Sequence, residues 1–169
     1  MELPIVLETE ITSHLLYSYP LSIIKSDPKM LPWYYQHFFD VSSYINENYY
    51  VILYTDVPHG TWGIFNDVLE KNYIRVADNF PKEKLIPNII KYIENGFYPV
   101  IFNIDRFYLR NHSGFGKYHQ YTEILFYGFN MTDKYFLSID LDQKVGVTKA
   151  NYYYDDVDRA YKQEISLKY

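Results

Sequence analysis

The chain contains no cysteine, which excludes disulfides, thiolate metal sites and a cysteine nucleophile at a stroke. It also lacks an apolar run of the roughly 18 residues that a membrane-spanning helix needs. The first ten residues, MELPIVLETE, are acidic and have none of the basic character that opens a secretory signal, so a cytoplasmic location is expected. No cluster or stripe of Lys and Arg appears, and the formal net charge is −5. Binding to nucleic acid requires phosphate neutralisation, and even tyrosine-rich single-strand platforms carry a basic groove, so that class is excluded. No two of His14, His37, His59, His112 and His119 fall at the i, i+3 or i+4 spacing of a helical zinc pair. Neither a metal nor any other cofactor is expected. Internal repeats, low-complexity tracts and linkers are absent as well, and residues 1–169 read as a single domain.

What the chain has in abundance is aromatic surface, with 21 Tyr and 11 Phe. Trp33, Tyr34, Tyr35, Phe38 and Phe39 form one dense patch, and Tyr152, Tyr153 and Tyr154 another. Each such ring can bury an apolar body and keep its hydroxyl wet, so packing accounts for most of them, with a partner or ligand surface as the sharper alternative. Residues 3–7, LPIVL, have the composition of a short strand. Within TSHLLYSYPLSIIKSDP a short helix is expected, capped by Ser18, with Pro20 in its first turn and a stop before Pro28. LPWYYQHFFDVSSYI (31–45) fits helix and strand equally, whereas NYYVILYTD (48–56) and YIRVAD (73–78) read as strands.

The clearest helix is PKEKLIPNIIKYIENG (81–96). Leu85, Ile86, Ile89, Ile90 and Ile93 share one face, and Gly96 supplies a left-handed end. FYPVIFNID (97–105) then reads as a buried strand, RFYLRNHSGFGK (106–117) as a loop, and YTEILFYGFN (121–130), KYFLSIDL (134–141) and KVGVTKA (144–150) as three successive strands. A last helix is expected over 152–165, its opening Asp155, Asp156 and Asp158 facing water and complementing the helix dipole. The order is that of an α+β domain rather than of alternating β/α units. The sequons at Asn111 and Asn130 are chance matches in a cytoplasmic protein.

From residue 97 onward, GFYPVIFNIDRFYL, a glycine-containing loop, YTEILFYGFN and YFLSIDL together resemble the second half of papain-like folds. They look most like the N-terminal domain of the butirosin biosynthesis acyltransferase and related proteins of nonribosomal-peptide clusters, and more distantly like bacteriocin-processing peptidases. The stretch TSHLLYSYPLSIIKSDPKMLPWYYQHFF resembles the start of the same cluster proteins. The resemblance implies a papain-like domain, an N-terminal helical part packed on a C-terminal antiparallel sheet. Related cluster proteins often run longer, so the resemblance leaves open a second domain that is lost or carried on another chain.

That family works with a cysteine near the first helix, a histidine six residues before a strand glycine, and an Asp or Asn on the next strand. The thiol needs a base, and the base needs a partner that fixes its tautomer. Here the glycine is Gly128 and six residues earlier stands Thr122, which cannot act as a base at neutral pH; the carboxylate position is taken by Asp140. A three-residue loop at 130–132 sets Thr122 opposite Asp140, side chains on one face. His119, three residues from Thr122, points to the other face of a regular strand.

The expected function is therefore that of a catalytically degenerate papain-like protein, an accessory or binding component in nonribosomal-peptide-type biosynthesis. It recognises a carrier-protein-bound acyl or peptidyl intermediate, a synthetase module or another partner enzyme, with Thr122, Asp140, Asp105, Tyr17 and Trp33 marking the cleft and with room for a homodimer. Asp105 reads chiefly as a hydrogen-bond acceptor for the loop that follows it. Two alternatives stand beside this. One is an active acyltransferase or amide hydrolase with Ser18 or Ser13 as nucleophile, His119 as base and Asp140 as orienter. The other is a structural or immunity-type binding protein with a filled cleft and an aromatic surface.

Overall fold

A computed structural model describes residues 1–10, 15–37, 41–45, 50–54, 65, 67–70, 84–142 and 145–162. Among them four helices, α1 (Leu15–Ile24), α2 (Leu31–His37), α3 (Leu85–Glu94) and α4 (Tyr154–Lys162), accompany two antiparallel sheets. The smaller sheet is the pair β1 (Val41–Ile45) and β2 (Tyr50–Tyr54). The larger is a meander, β3 (Val100–Asp105), β4 (Tyr121–Asn130), β5 (Tyr135–Asp142) and β6 (Gly146–Tyr153), hydrogen-bonded in that order. Mixed helix with an antiparallel sheet is an α+β arrangement. The ambiguous segment 31–45 resolves into both alternatives, helix first and strand after. The strand expected at 73–78 lies outside the described residues, as do Ser13, His14, His59, Phe38 and Phe39.

Strand alternation divides the core into two layers. Ile124 and Phe126 of β4, Phe136 of β5 and Tyr152 of β6 join Leu85, Ile89 and Ile93 of α3 and Val157 and Ala160 of α4. The alternate residues Leu125, Tyr127, Ile139 and Val147 pack on the opposite face with Leu15 and Tyr19 of α1. A bulge in β4 between Phe126 and Gly128 shifts the register against β5 and returns Phe129 to the α3–α4 layer. Tyr17, Leu21, Ile24, Tyr34 and Phe65 form a third cluster, with Trp33 against it.

Several local expectations are corrected by tertiary context. Ser18 and Pro20 lie inside α1 rather than at its start, because the helix begins at Leu15. The Ser18 carbonyl accepts from the Ser22 hydroxyl at 2.6 Å. The N-terminal strand is shorter and earlier than 3–7. The Leu3 N–H donates to the Tyr127 carbonyl at 2.8 Å and the Phe129 N–H to the Met1 carbonyl at 2.9 Å, so residues 1–3 take over the edge of β4 beyond β3. The β4–β5 connection runs over 131–134, with Asn130 paired to Tyr135 and Lys134 at φ 54°. Asn130 closes this turn by accepting from the Asp133 N–H and donating to its carboxylate, both at 2.9 Å. The last helix is confined to Tyr154–Lys162, and Asp156 faces the interior, 1% exposed, where it accepts from Arg110.

Candidate functional site

The site grows from the end of β3. Ile104 pairs with Thr122 and Asp105 with Tyr121, so the chain leaving β3 at Arg106 passes directly beside the start of β4. The Asp105 carboxylate accepts from the Phe107 N–H at 3.1 Å and turns residues 106–108 into a short 3-10 turn. That turn aims the Arg106 side chain, 3% exposed, across the sheet. Its terminal nitrogen donates to Thr122 Oγ1 at 2.9 Å and to Asp140 Oδ1 at 2.7 Å.

Asp140 is fully buried. Besides Arg106 it accepts from the Tyr152 hydroxyl at 2.9 Å and from the Leu141 N–H at 2.7 Å. A buried carboxylate is tolerable only when paired and hydrogen-bonded in this way. Burial foremost, then the charge of Asp140 and the bond to it, push the Tyr152 hydroxyl far above its ordinary pKa, so it remains a neutral donor. Tyr19 is shifted the same way, first by burial and then by Asp140, and its hydroxyl donates to the Glu123 carbonyl at 2.8 Å.

His112 adds a third side to this interior. Its Nδ1 accepts from the Gly114 N–H at 2.9 Å, which puts the ring proton on Nε2. That nitrogen faces Asp140 and Asp142, 3.9 Å from each, and Ser113 donates its N–H to Asp142 at 3.3 Å. Arg106 Nε, His112 Nε2 and Ser113 Oγ are buried without a hydrogen-bond partner among the described residues. No group of three or more His, Asp or Glu side chains among those residues is placed to hold a metal ion.

The residues singled out from the sequence are thus only partly gathered together. Thr122 and Asp140 do share a neighbourhood, but through Arg106 rather than by direct pairing. The four-residue turn and the bulge set the register so that Leu125 faces Ile139, the last pair of the β4–β5 ladder, and Thr122 and Asp140 are not strand partners. His119 is not at Asp140. Its Nδ1 meets Asp105 Oδ2 at 2.6 Å, and its ring stacks on Phe107 with centroids 4.3 Å apart. Asp105 therefore serves the loop, taking Phe107, His119 and the Gln120 N–H.

Ser18 is buried in α1, on the face of the sheet opposite to the one carrying Tyr152 and Asp140. Tyr17 and Trp33 belong to the separate cluster around Phe65. Sequence reasoning passed over Arg106, Tyr152, His112 and Tyr19. Arg106 carried a readable signal: a cation set between an apolar strand and two aromatic residues must find a buried partner.

Compared with family models, with curated proteins and with solved structures, the chain matches none. Its function must be argued from the site. Asp140 is held by Arg106, the Tyr152 hydroxyl and the Leu141 N–H, and the imidazole that faces it is that of His112, at 3.9 Å, rather than that of His119. A hollow of about 470 Å³ lies at the far end of the same strands, lined by Met1, Glu2, Phe129, Met131 and Leu137 among others, away from every titratable group of this network.

Proposed function

We propose that the chain is a catalytically degenerate papain-like domain, non-catalytic at the cleft of Thr122 and Asp140, a cytoplasmic accessory component of nonribosomal-peptide-type biosynthesis that works by binding a carrier protein or synthetase module. The observation that carries this reading is the closed state of the position where the resemblance implies a base and its orienter. Arg106 stands between Thr122 and Asp140, and Tyr152 takes the other carboxylate oxygen. The absence of any thiol and the location of Ser18 across the sheet from Asp140 support the same conclusion. A nucleophile and its acid must lie on one side of a sheet to act together. The resemblance over 97–141 and over the first helical segment supplies the partner class.

With the pocket filled, recognition falls to the surface, where Tyr35, Phe97, Phe102 and Tyr121 are exposed. The filled pocket also favours an immunity-type binding protein as a second reading. The test is to titrate the intact protein with acyl- and peptidyl-carrier proteins and with a synthetase module, and to follow thioester turnover in parallel. Binding is expected without any turnover that depends on Ser18 or Asp140. Failure to bind any of these partners rejects the first reading and leaves the second; turnover abolished by Asp140→Asn in a folded protein rejects both.

A further inference from the structure

His119, which bonds Asp105 rather than Asp140, has the geometry the pocket lacks. Asp105 is wholly buried, while the His119 side chain is 56% exposed, and 2.6 Å separates Asp105 Oδ2 from His119 Nδ1. A carboxylate can only accept, so Nδ1 carries a proton, and in the neutral ring the lone pair lies on Nε2. Nε2 has no hydrogen-bond partner among the described residues.

The carboxylate is itself fixed. Its other oxygen accepts from the N–H groups of Phe107 and Gln120, at 3.1 and 3.2 Å. The imidazole is fixed too, lying nearly parallel to the Phe107 ring at 19°, with Tyr108 6.1 Å away. Both anchors sit on paired backbone, since Asp105 and Tyr121 are strand partners and Arg106 N–H bonds the Gln120 carbonyl at 2.9 Å. A rigid imidazole with one tautomer and an open nitrogen is the arrangement that nucleophilic and general-base catalysis require.

We propose that His119 is a reactive imidazole that accepts acyl groups from activated esters and thioesters, with Asp105 as its positioning residue. Nε2 adds to the carbonyl carbon, the C–O or C–S bond breaks, and the phenolate or thiolate leaves with the electron pair. The Asp105 carboxylate offsets the positive charge of the resulting acylimidazolium through Nδ1–H. Water then adds to the acyl carbon and gives up one proton to solvent, where it neutralises the departed phenolate or thiolate, and the C–N bond breaks with its electron pair returning to Nε2 as the carboxylic acid departs. The net change is acyl donor plus water to acid plus phenol or thiol. This site adjoins the Arg106–Asp140 network, because the turn that Asp105 caps also positions Arg106, but the His119 ring bonds Asp105 rather than Asp140.

The probe is p-nitrophenyl acetate, with the intact chain compared against free imidazole at the same histidine concentration. Wild type is expected to release p-nitrophenolate at least about tenfold faster than the free imidazole control, a difference of about 1.4 kcal/mol in barrier. His119→Gln, a change at an exposed side chain, is expected to remove that excess. Asp105→Asn is expected to shift the ring proton from Nδ1 to Nε2, which long-range proton–nitrogen spectra of His119 read directly, with a rate loss in parallel. A wild-type rate no higher than the imidazole control, or an unchanged rate in His119→Gln, overturns the proposal.

Discussion

Removing the Arg106 guanidinium should expose how much of this fold hangs on one buried charge pair. In Arg106→Met the stem volume is nearly kept while Asp140, itself 0% exposed, loses the partner at 2.7 Å. Breaking a buried pair from one side costs about 3–5 kcal/mol, because the remaining charge is left uncompensated. Two acceptor bonds survive, from the Tyr152 hydroxyl at 2.9 Å and the Leu141 N–H at 2.7 Å, which places the expected loss near the lower bound. About 3 kcal/mol is roughly a hundredfold in the ratio of folded to unfolded protein.

Urea unfolding of wild type, Arg106→Met, Asp140→Leu and the double variant closes a cycle. The double variant should be less damaged than the sum of the two singles by about 2 kcal/mol or more, since it leaves neither charge stranded. The midpoint should move while the slope with urea stays constant. If Arg106→Met costs less than about 1 kcal/mol, the value of an exposed pair, or if the two losses simply add, the network is not the lock described above.

Two further outcomes follow from the same strands. A Cβ at Gly128 would meet Leu137 Cδ1 at 2.7 Å and the Met1 carbonyl at 2.9 Å, so Gly128→Ala should destabilise by about 1–3 kcal/mol and speed exchange of the Leu3 amide that bonds Tyr127; unchanged stability and exchange would refute the close approach of the N-terminal segment. At high pH, burial pushes the Tyr127 hydroxyl up from 10 to about 12. The unfolded chain therefore loses this proton first, and stability present below pH 10 falls as pH rises towards 12. Tyr127→Phe should flatten that part of the curve, read by urea midpoints alongside tyrosinate absorbance; an identical slope in the variant would show that Tyr127 is not the group responsible.

The sequence alone determined the elements whose physics is local. The Leu85–Ile93 stripe and Gly96, at φ 83°, made α3 and its end legible, and β-branched and aromatic runs bounded β4 and β5 to within a residue. The want of a thiol, and of a histidine six residues before Gly128, was equally plain. What the sequence could not give was register and reach. The β4–β5 turn is one residue longer and lies one residue further along, at 131–134 rather than 130–132, and the bulge before Gly128 takes back only part of that shift, so Asp140 moved out from opposite Thr122, although alternation kept both side chains on one face.

Local preference put Ser18 and Pro20 at a helix start, and burial of Leu15 and Tyr19 against the sheet began the helix earlier. The partners of Asp140 and His119 were decided only by tertiary structure. Arg106 lies 34 residues from Asp140, and Asp105 lies 14 from His119. A charge buried by folding must be matched by whatever the fold brings within about 3 Å, and that neighbour is set by strand pairing rather than by spacing along the chain.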